Sequence, residues 1–419
     1  MKVLKNMSLI KRIILGIIIG IFLGIVVPNW EFIGILGELF VGALKSIAPI
    51  LVFVLIMASI SKHQSGVQTF VKPIIVLYLL ATLLAAVTAV VASFLFPVQI
   101  VLQEAAGSQD APKALVDVIG NILTSVVQNP IQGMIDGNYL SILFWSALIG
   151  FGLRTCSKET KDVIDNLSEA VTRVVQLVIG LAPIGILGLV FNSVSSTGVS
   201  GLGQYGQLLA LLVGTMLFVA LIIYPILVFL LIHENPYPLI FFCLKESAIP
   251  AFFTRSSAAN IPINMMLAER LELSEESYSI SLPLGATINM GGAAITISTM
   301  TLVTVHTLGM DIQPFVALIL CVLSALAACG ASGIAGGSLL LIPLACSLFG
   351  ISNDVAMQVV GVGFIIGVVQ DSVETAVNSS SDLLFTAVAE FSSLKKKGAK
   401  LNIKKLVKEK GMKPTKSID

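Results

Sequence analysis

The chain reads as an all-α polytopic membrane protein, and three observations predict that class: long apolar runs, a low share of charge, and a row of acids inside one apolar run. Of 419 residues, 56% are hydrophobic and 12% charged, with a mean hydropathy of +0.97. That is roughly half the charged fraction of a soluble domain. Runs of about 20 apolar residues, enough to cross hydrocarbon, recur through the first half. Asp371, Glu374, Asn378 and Asp382 follow one another at spacings of three, four and four, which puts them within roughly an 80° arc of one helix. A carboxylate at mid-membrane costs at least about 2.5–3.5 kcal/mol, so this stripe predicts a protein- or water-lined cavity holding ions or solutes. A net charge of +1 gives no reason to expect a nucleic-acid partner.

The first span is expected over 13–28. Lys11 and Arg12 precede it, but Pro28-Asn29-Trp30 stands where a secretory cleavage site would need small residues, so the span is expected to be retained. Further spans are expected near 36–60, 73–97, 138–153, 172–192 and 207–232. The loops at 62–72 and 154–173 carry Lys62, Lys72, Arg154, Lys158, Lys161 and Arg173, and both termini are basic, with ten lysines from Lys395 to Lys416. Positive loops belong in the cytoplasm, whereas 98–120 and 193–206 hold only Lys113 between them and belong outside. Both termini inside require an even number of crossings. The basic tail, 395–419, is expected to face anionic lipid. Lys45 and Glu38, near the start of the second span, are expected to be interfacial with no transport role. Cys156, Cys243, Cys321, Cys329 and Cys346 are expected as buried free thiols. His63, His233 and His306 lie at span ends or loops and are not expected to be ligands.

After His233 the regular pattern fails. The apolar segment 238–262 is interrupted by Pro250, by Thr254-Arg255-Ser256-Ser257-Ala258-Ala259-Asn260 and by Pro262. Unpaired backbone facing lipid costs several kcal/mol per group, so the break predicts a hairpin that enters and returns on one side, buried in protein. A second break, Ala328 to Ser338, is rich in glycine and is also flanked by apolar runs. Each is followed by a full span, 280–303 and 357–390, so a hairpin-plus-helix unit occurs twice and predicts inverted repeats. The span after the first break is interrupted in turn at Gly285-Ala286-Thr287-Ile288-Asn289-Met290-Gly291-Gly292. Unwinding there would turn carbonyl oxygens inward as ligands for a hard cation. With Asp382, Asn289, Gly285 and Asn378 the donor set is all oxygen, which suits sodium rather than zinc.

These residues resemble the dicarboxylate/amino acid:cation symporter family, the glutamate-transporter family, and within it the bacterial serine/threonine:sodium symporters. The resemblance covers nearly the whole chain. It rests on Thr254-Arg255-Ser256-Ser257, Asn289-Met290-Gly291, the glycine-rich second break, and Asp371 with Asn378 and Asp382. Asn129-Pro130 and Ala182-Pro183-Ile184-Gly185 also fit. It implies eight transmembrane helices, two re-entrant helical hairpins, a homotrimer and an elevator motion in a bacterial cytoplasmic membrane. Residues 1–237 would be mainly scaffold, with the third span partly in the transport domain, and 238–394 the transport core. Ser256 and Ser257 would hold an amino acid's carboxylate and Asp371 its ammonium, with Thr375 and Asn378 completing the frame. Gly285, Asn289, Asn378 and Asp382 would form one sodium site, and backbone oxygens of Thr287, Ala328, Cys329 and Ala331 a second.

Departures from the family pattern sharpen the expectation. Members that carry acidic substrates have an arginine at the position of Glu374, so a neutral substrate, serine or threonine, is expected. Glu374 would either accept a hydrogen bond from the substrate hydroxyl or be structural. Gly291, Ala293 and Ala81, beside Tyr78 and Thr82, stand where relatives carry oxygen-bearing side chains, which predicts fewer coupled sodium ions. Proton coupling through Glu374 or Asp371 remains the alternative, as does a dicarboxylate or other amino acid as substrate. An intramembrane aspartyl protease is disfavoured because these acids share one helix, whereas a hydrolytic pair must converge on a bound peptide. A channel is disfavoured because no pore-lining ring repeats. No enzymatic activity is expected.

Overall fold

The first helix is held by close backbone approach rather than by bulk. In a computed structural model, which describes residues 9–62, 71–102, 124, 126–198, 201–331, 336–397 and 407, α1 (Leu9–Val26) packs along α7 (Ala182–Thr197). Gly16, Gly20 and Gly24 form one stripe. A Cβ on Gly16 would run into the Pro183 carbonyl oxygen, one on Gly20 would lie 2.7 Å from that of Leu187, and one on Gly24 2.9 Å from Val194 Cβ. Between apolar helices in lipid, small residues that admit such contact are what dispersion can use. The second helix, α2 (Phe32–Lys62), meets α7 in the same way, with Gly37 against Gly188.

The next helices depart from the expectation in two places. Helices α3 (Val71–Leu95), a short α4 (Pro130–Asp136) capped by the Asn129 side chain, and α5 (Tyr139–Leu153) lead to α6 (Lys158–Gly180). The basic stretch expected to be a loop, 154–173, is therefore mostly helix, started by Ser157 as N-cap. The expected straight span 172–192 is instead bent by 51° between α6 and α7. Pro183 sits in the first turn of α7; it has no N–H to continue the ladder of α6 and its ring displaces the preceding carbonyl. Helix α8 (Gly201–Phe218) runs through a π-turn (Val219–Ile223) into α9 (Tyr224–Ile232), with Pro225 at the junction.

Each break lies between helical arms that pack on one another. The first comprises α10 (Tyr237–Cys243), a π-turn (Leu244–Ala248), α11 (Ile249–Thr254) and, after a turn at Arg255–Ser256, α12 (Ser257–Arg270), whose arms pack on each other. The interrupted span is α13 (Glu275–Ile288) and α14 (Gly291–Thr307). The second hairpin is α15 (Pro314–Ala328), a 3₁₀ turn (Ser338–Leu341) and α16 (Ile342–Ser347); α17 (Asn353–Lys396) closes the fold. At 44 residues α17 is about 66 Å long. The helices fall into two packing groups. One joins α1, α2, α5, α6 and α7; the other gathers α3, α8 to α9, both hairpins, α13 and α14 around α17, and α17 touches α2 and α7 across the boundary.

Among the described residues, five helical stretches can cross a membrane by length and composition, or six counting the bent pair. All five cysteines are free and Cys243, Cys321 and Cys346 are buried as expected, but Cys329 is only half-buried and Cys156 is exposed in the turn after α5. Lys45 donates to Asp354 at the start of α17, so this exposed pair bridges the two groups. His233 ends α9 and His306 lies in the last turn of α14. His63, most of the loops at 62–72 and 98–120, the tail beyond 397 apart from 407, and 332–335 fall outside the described residues.

The α1–α7 contact makes a direct prediction. Gly20→Ala forces a methyl group onto the Leu187 carbonyl, and overpacking of this kind costs about 1–3 kcal/mol. A methyl group on Gly214, in α8, would meet nothing within 4 Å, and alanine there favours the helix. Thermal unfolding of the purified protein is expected at a lower midpoint for Gly20→Ala and at an unchanged or higher one for Gly214→Ala.

Candidate substrate and cation site

The acid stripe of α17 is the spine of the site. Asp371, Glu374, Asn378 and Asp382 are all buried, at 2, 5, 3 and 1% exposure. Each finds partners on a different element, because a buried polar group without one would cost the full desolvation of that group.

Asp371 meets both hairpins. Its Oδ2 accepts from Arg255 Nε at 2.6 Å, and its Oδ1 accepts from the Gly336 N–H at 3.1 Å. Arg255 is the turn residue of the first hairpin and has φ 52, a left-handed conformation that caps α11 and turns the side chain back towards α17. Ser256 follows in an extended conformation; its hydroxyl oxygen accepts from the Ala259 N–H at 3.2 Å and caps α12. Ser257 is buried at the head of α12, and Thr375 is buried on α17 one position after Glu374.

A polar clamp behind this tip was not read from the sequence. Ser247 donates to Asn264 Oδ1 at 2.5 Å, Asn260 Nδ2 donates to Ser379 Oγ at 2.8 Å, and Asn264 Nδ2 donates to the Ser379 carbonyl at 2.9 Å. It fastens both arms of the first hairpin to α17. The signal was present: Asn260 and Asn264 lie at i and i+4 on one face of an apolar arm, the same logic that exposed the α17 stripe.

Glu374 is engaged by protein. Its Oε2 accepts from Thr296 Oγ1 at 2.7 Å, Ser338 Oγ at 2.8 Å and Gln370 Nε2 at 2.6 Å. Since Thr296 is on α14 and Ser338 on the second hairpin, one oxygen ties three elements together.

The lower end of the stripe meets the interrupted span. The helix is broken at Asn289 and Met290 only, narrower than the expected 285–292, with Asn289 at φ −94, ψ 71. Asn289 Nδ2 donates to Asp382 Oδ1 at 2.8 Å and to Ser381 Oγ at 2.7 Å, and Asn378 Oδ1 accepts from the Gly292 N–H at 2.7 Å. Gly285 stands where a Cβ would come within 2.9 Å of Asp382 Oδ1. Gly285, Asn289, Asn378 and Asp382 are thus brought together. Asn289 Oδ1 is fully buried and has no protein partner, an oxygen suited to a cation. From α3, the Tyr78 hydroxyl lies 3.0 Å from the Asp382 carbonyl, 3.3 Å from that of Ser281 and 2.8 Å from Thr386 Oγ1.

The end of α15 approaches the same break. Cys329 Sγ lies 3.6 Å from the Ile288 carbonyl, next to Thr287. Ala328 and Ala331 are buried, and the Ala328 carbonyl accepts from the Ala331 N–H at 3.0 Å. The Thr287 hydroxyl donates back to the Leu284 carbonyl at 2.7 Å.

Known proteins share this arrangement of sequence over almost the full chain. Serine/threonine transporter SstT of Enterococcus faecalis is 67% identical over 406 residues, 97% of both chains. The protein of that name from Lacticaseibacillus paracasei is 58% identical over 97% of this chain and 94% of its own, and that from Streptococcus agalactiae is 54% identical over 95% and 99%. The model of the sodium:dicarboxylate symporter family matches residues 9–391. The chain is a multi-pass membrane protein and belongs to the sodium:dicarboxylate symporter family.

Proposed function

We propose that the protein imports serine and threonine together with sodium by an elevator motion. The observation that carries this reading is the division of the α17 stripe. One end, Asp371, faces a hairpin turn, and the other, Asp382, faces an unwound span with an all-oxygen donor set, with Asn378 between them. The names of the close relatives support the substrate, and the family name supports sodium as the coupling ion.

In this reading the ammonium of the amino acid pairs with Asp371, and the backbone N–H groups and hydroxyls at Ser256 and Ser257 receive its carboxylate. Charge-assisted bonds of this kind are roughly twice as strong as neutral ones. Thr375 and Asn378 frame the zwitterion. One sodium ion sits among Gly285, Asn289, Asn378 and Asp382, and a second on backbone oxygens of Thr287, Ala328, Cys329 and Ala331, completed when the second hairpin closes. Asn378 belongs to both the ion and the substrate frame, so each ligand favours the arrangement the other needs. Coupling then arises as a difference in affinity between open and closed states. The Tyr224 hydroxyl fills the space that a side chain at Gly291 would take. That supports fewer sodium ions than in relatives with a side-chain oxygen there.

The moving core in this reading is α3 with α8 to α17, sliding against α1, α2 and α4 to α7. Eight full spans, two re-entrant hairpins, a homotrimer in the bacterial cytoplasmic membrane, both termini inside and a basic tail against lipid complete it. Glu374 offers no cation to a dicarboxylate, and its three protein donors favour the structural role: it braces the second hairpin against α14 and α17.

Two measurements test this. Proteoliposomes holding the protein are expected to accumulate labelled serine under an inward sodium gradient, with or without a protonophore, and a large excess of aspartate is not expected to compete. Uptake that ignores sodium or collapses with the protonophore would sink the reading. Glu374→Gln keeps an acceptor for Thr296 and Ser338 and is expected to retain uptake within about tenfold, whereas Glu374→Ala leaves buried donors unpaired, at about 1–3 kcal/mol each, and is expected to lose more. Equal activities of the two variants would remove the bracing role.

A further inference from the structure

The Arg255–Asp371 pair lies on the boundary between the two helix groups. Its side chains are 11 and 3% exposed. A cavity of about 10 Å³ beside it is walled by Ile13, Ile179 and Ala182 from the first group and by Leu339, Phe364 and Val368 from the second. Among the described residues, what the first group presents to the pair there is entirely apolar. Asp371 Oδ1 accepts from the Gly336 N–H and Oδ2 from Arg255, so the guanidinium already sits on the carboxylate with which the substrate ammonium would pair in the reading above. Arg255 reaches it from a left-handed backbone, a conformation unfavourable for any residue with a side chain and sustained only by its surroundings.

We propose that Arg255 is the internal counter-cation of the transport cycle, displaced from Asp371 by the substrate's ammonium and returned to it whenever the core crosses without an amino acid. The inference rests on the transport reading above. A carrier that accumulates substrate must send its core back empty. An unpaired carboxylate dragged past Ile13, Ile179 and Ala182 would be desolvated with nothing to offset it. With Arg255 on Oδ2 the pair crosses as a neutral unit. Exchange of one amino acid for another never moves the empty core across, so it does not need Arg255.

The two fluxes separate the roles. Arg255→Gly removes the cation while suiting the left-handed backbone, so the hairpin turn is kept. For this variant, sodium-driven net uptake of labelled serine into empty proteoliposomes is expected to fall at least about tenfold. Exchange of external labelled serine against internal unlabelled serine is expected to stay within about threefold of wild type. Arg255→Lys is expected to restore part of the net uptake. Loss of both fluxes together, as a direct contact of Arg255 with the substrate carboxylate would produce, overturns the inference, and so does retention of both. Absence of sodium-driven uptake by the wild-type protein would instead remove the reading on which it rests.

Discussion

Everything in the second half of this chain follows from burying three carboxyl groups on one helix. Breaking a buried ion pair by removing one partner costs about 3–5 kcal/mol, and α17 cannot turn its stripe to lipid. It must therefore collect donors from other elements: Arg255 and the Gly336 N–H for Asp371, Thr296, Ser338 and Gln370 for Glu374, Asn289 for Asp382. Those partners are the hairpin turns and the unwound span. Irregular backbone is tolerated within a membrane protein where it is buried against such groups, so the stripe and the breaks explain each other.

The same contacts join the elements that the proposed reading couples. Asp371 touches both hairpins at once, and Glu374 joins the second hairpin to α14, while the Ser247–Asn260–Asn264–Ser379 clamp keeps the first hairpin fixed on α17. The first hairpin is thus anchored along its length. The second is held near its return arm at Gly336 and Ser338, through hydrogen bonds to carboxylates that a ligand can disturb. An asymmetric arrangement of this kind suits one fixed wall and one movable gate.

Much of this was legible in the sequence because it is local. Period and spacing are enough to see four polar residues on one face of α17, and glycine, proline and serine clusters are enough to see that the chain breaks near 255, 289 and 330. What was not legible depends on partners far away in the chain. Nothing near Arg255 says that it pairs with a residue 116 positions later, and Glu374 reads as a specificity residue until Thr296 and Ser338 are seen on its oxygen. The bend at Leu181 was missed because the apolar run continues through it, although Pro183 marks it. The Gly16, Gly20 and Gly24 stripe reads as an ordinary apolar span until α7 is laid against it.

If one helix divides its acids between amino acid and cation, the two ligands bind interdependently. Equilibrium binding of labelled serine to the purified protein across a range of sodium concentrations measures that interdependence. Serine affinity is expected to rise with sodium in the wild type, and Asp382→Asn, which keeps an oxygen for Asn289 but removes the charge, is expected to flatten that dependence. Serine affinity independent of sodium in the wild type, or a full sodium dependence surviving in Asp382→Asn, would contradict it.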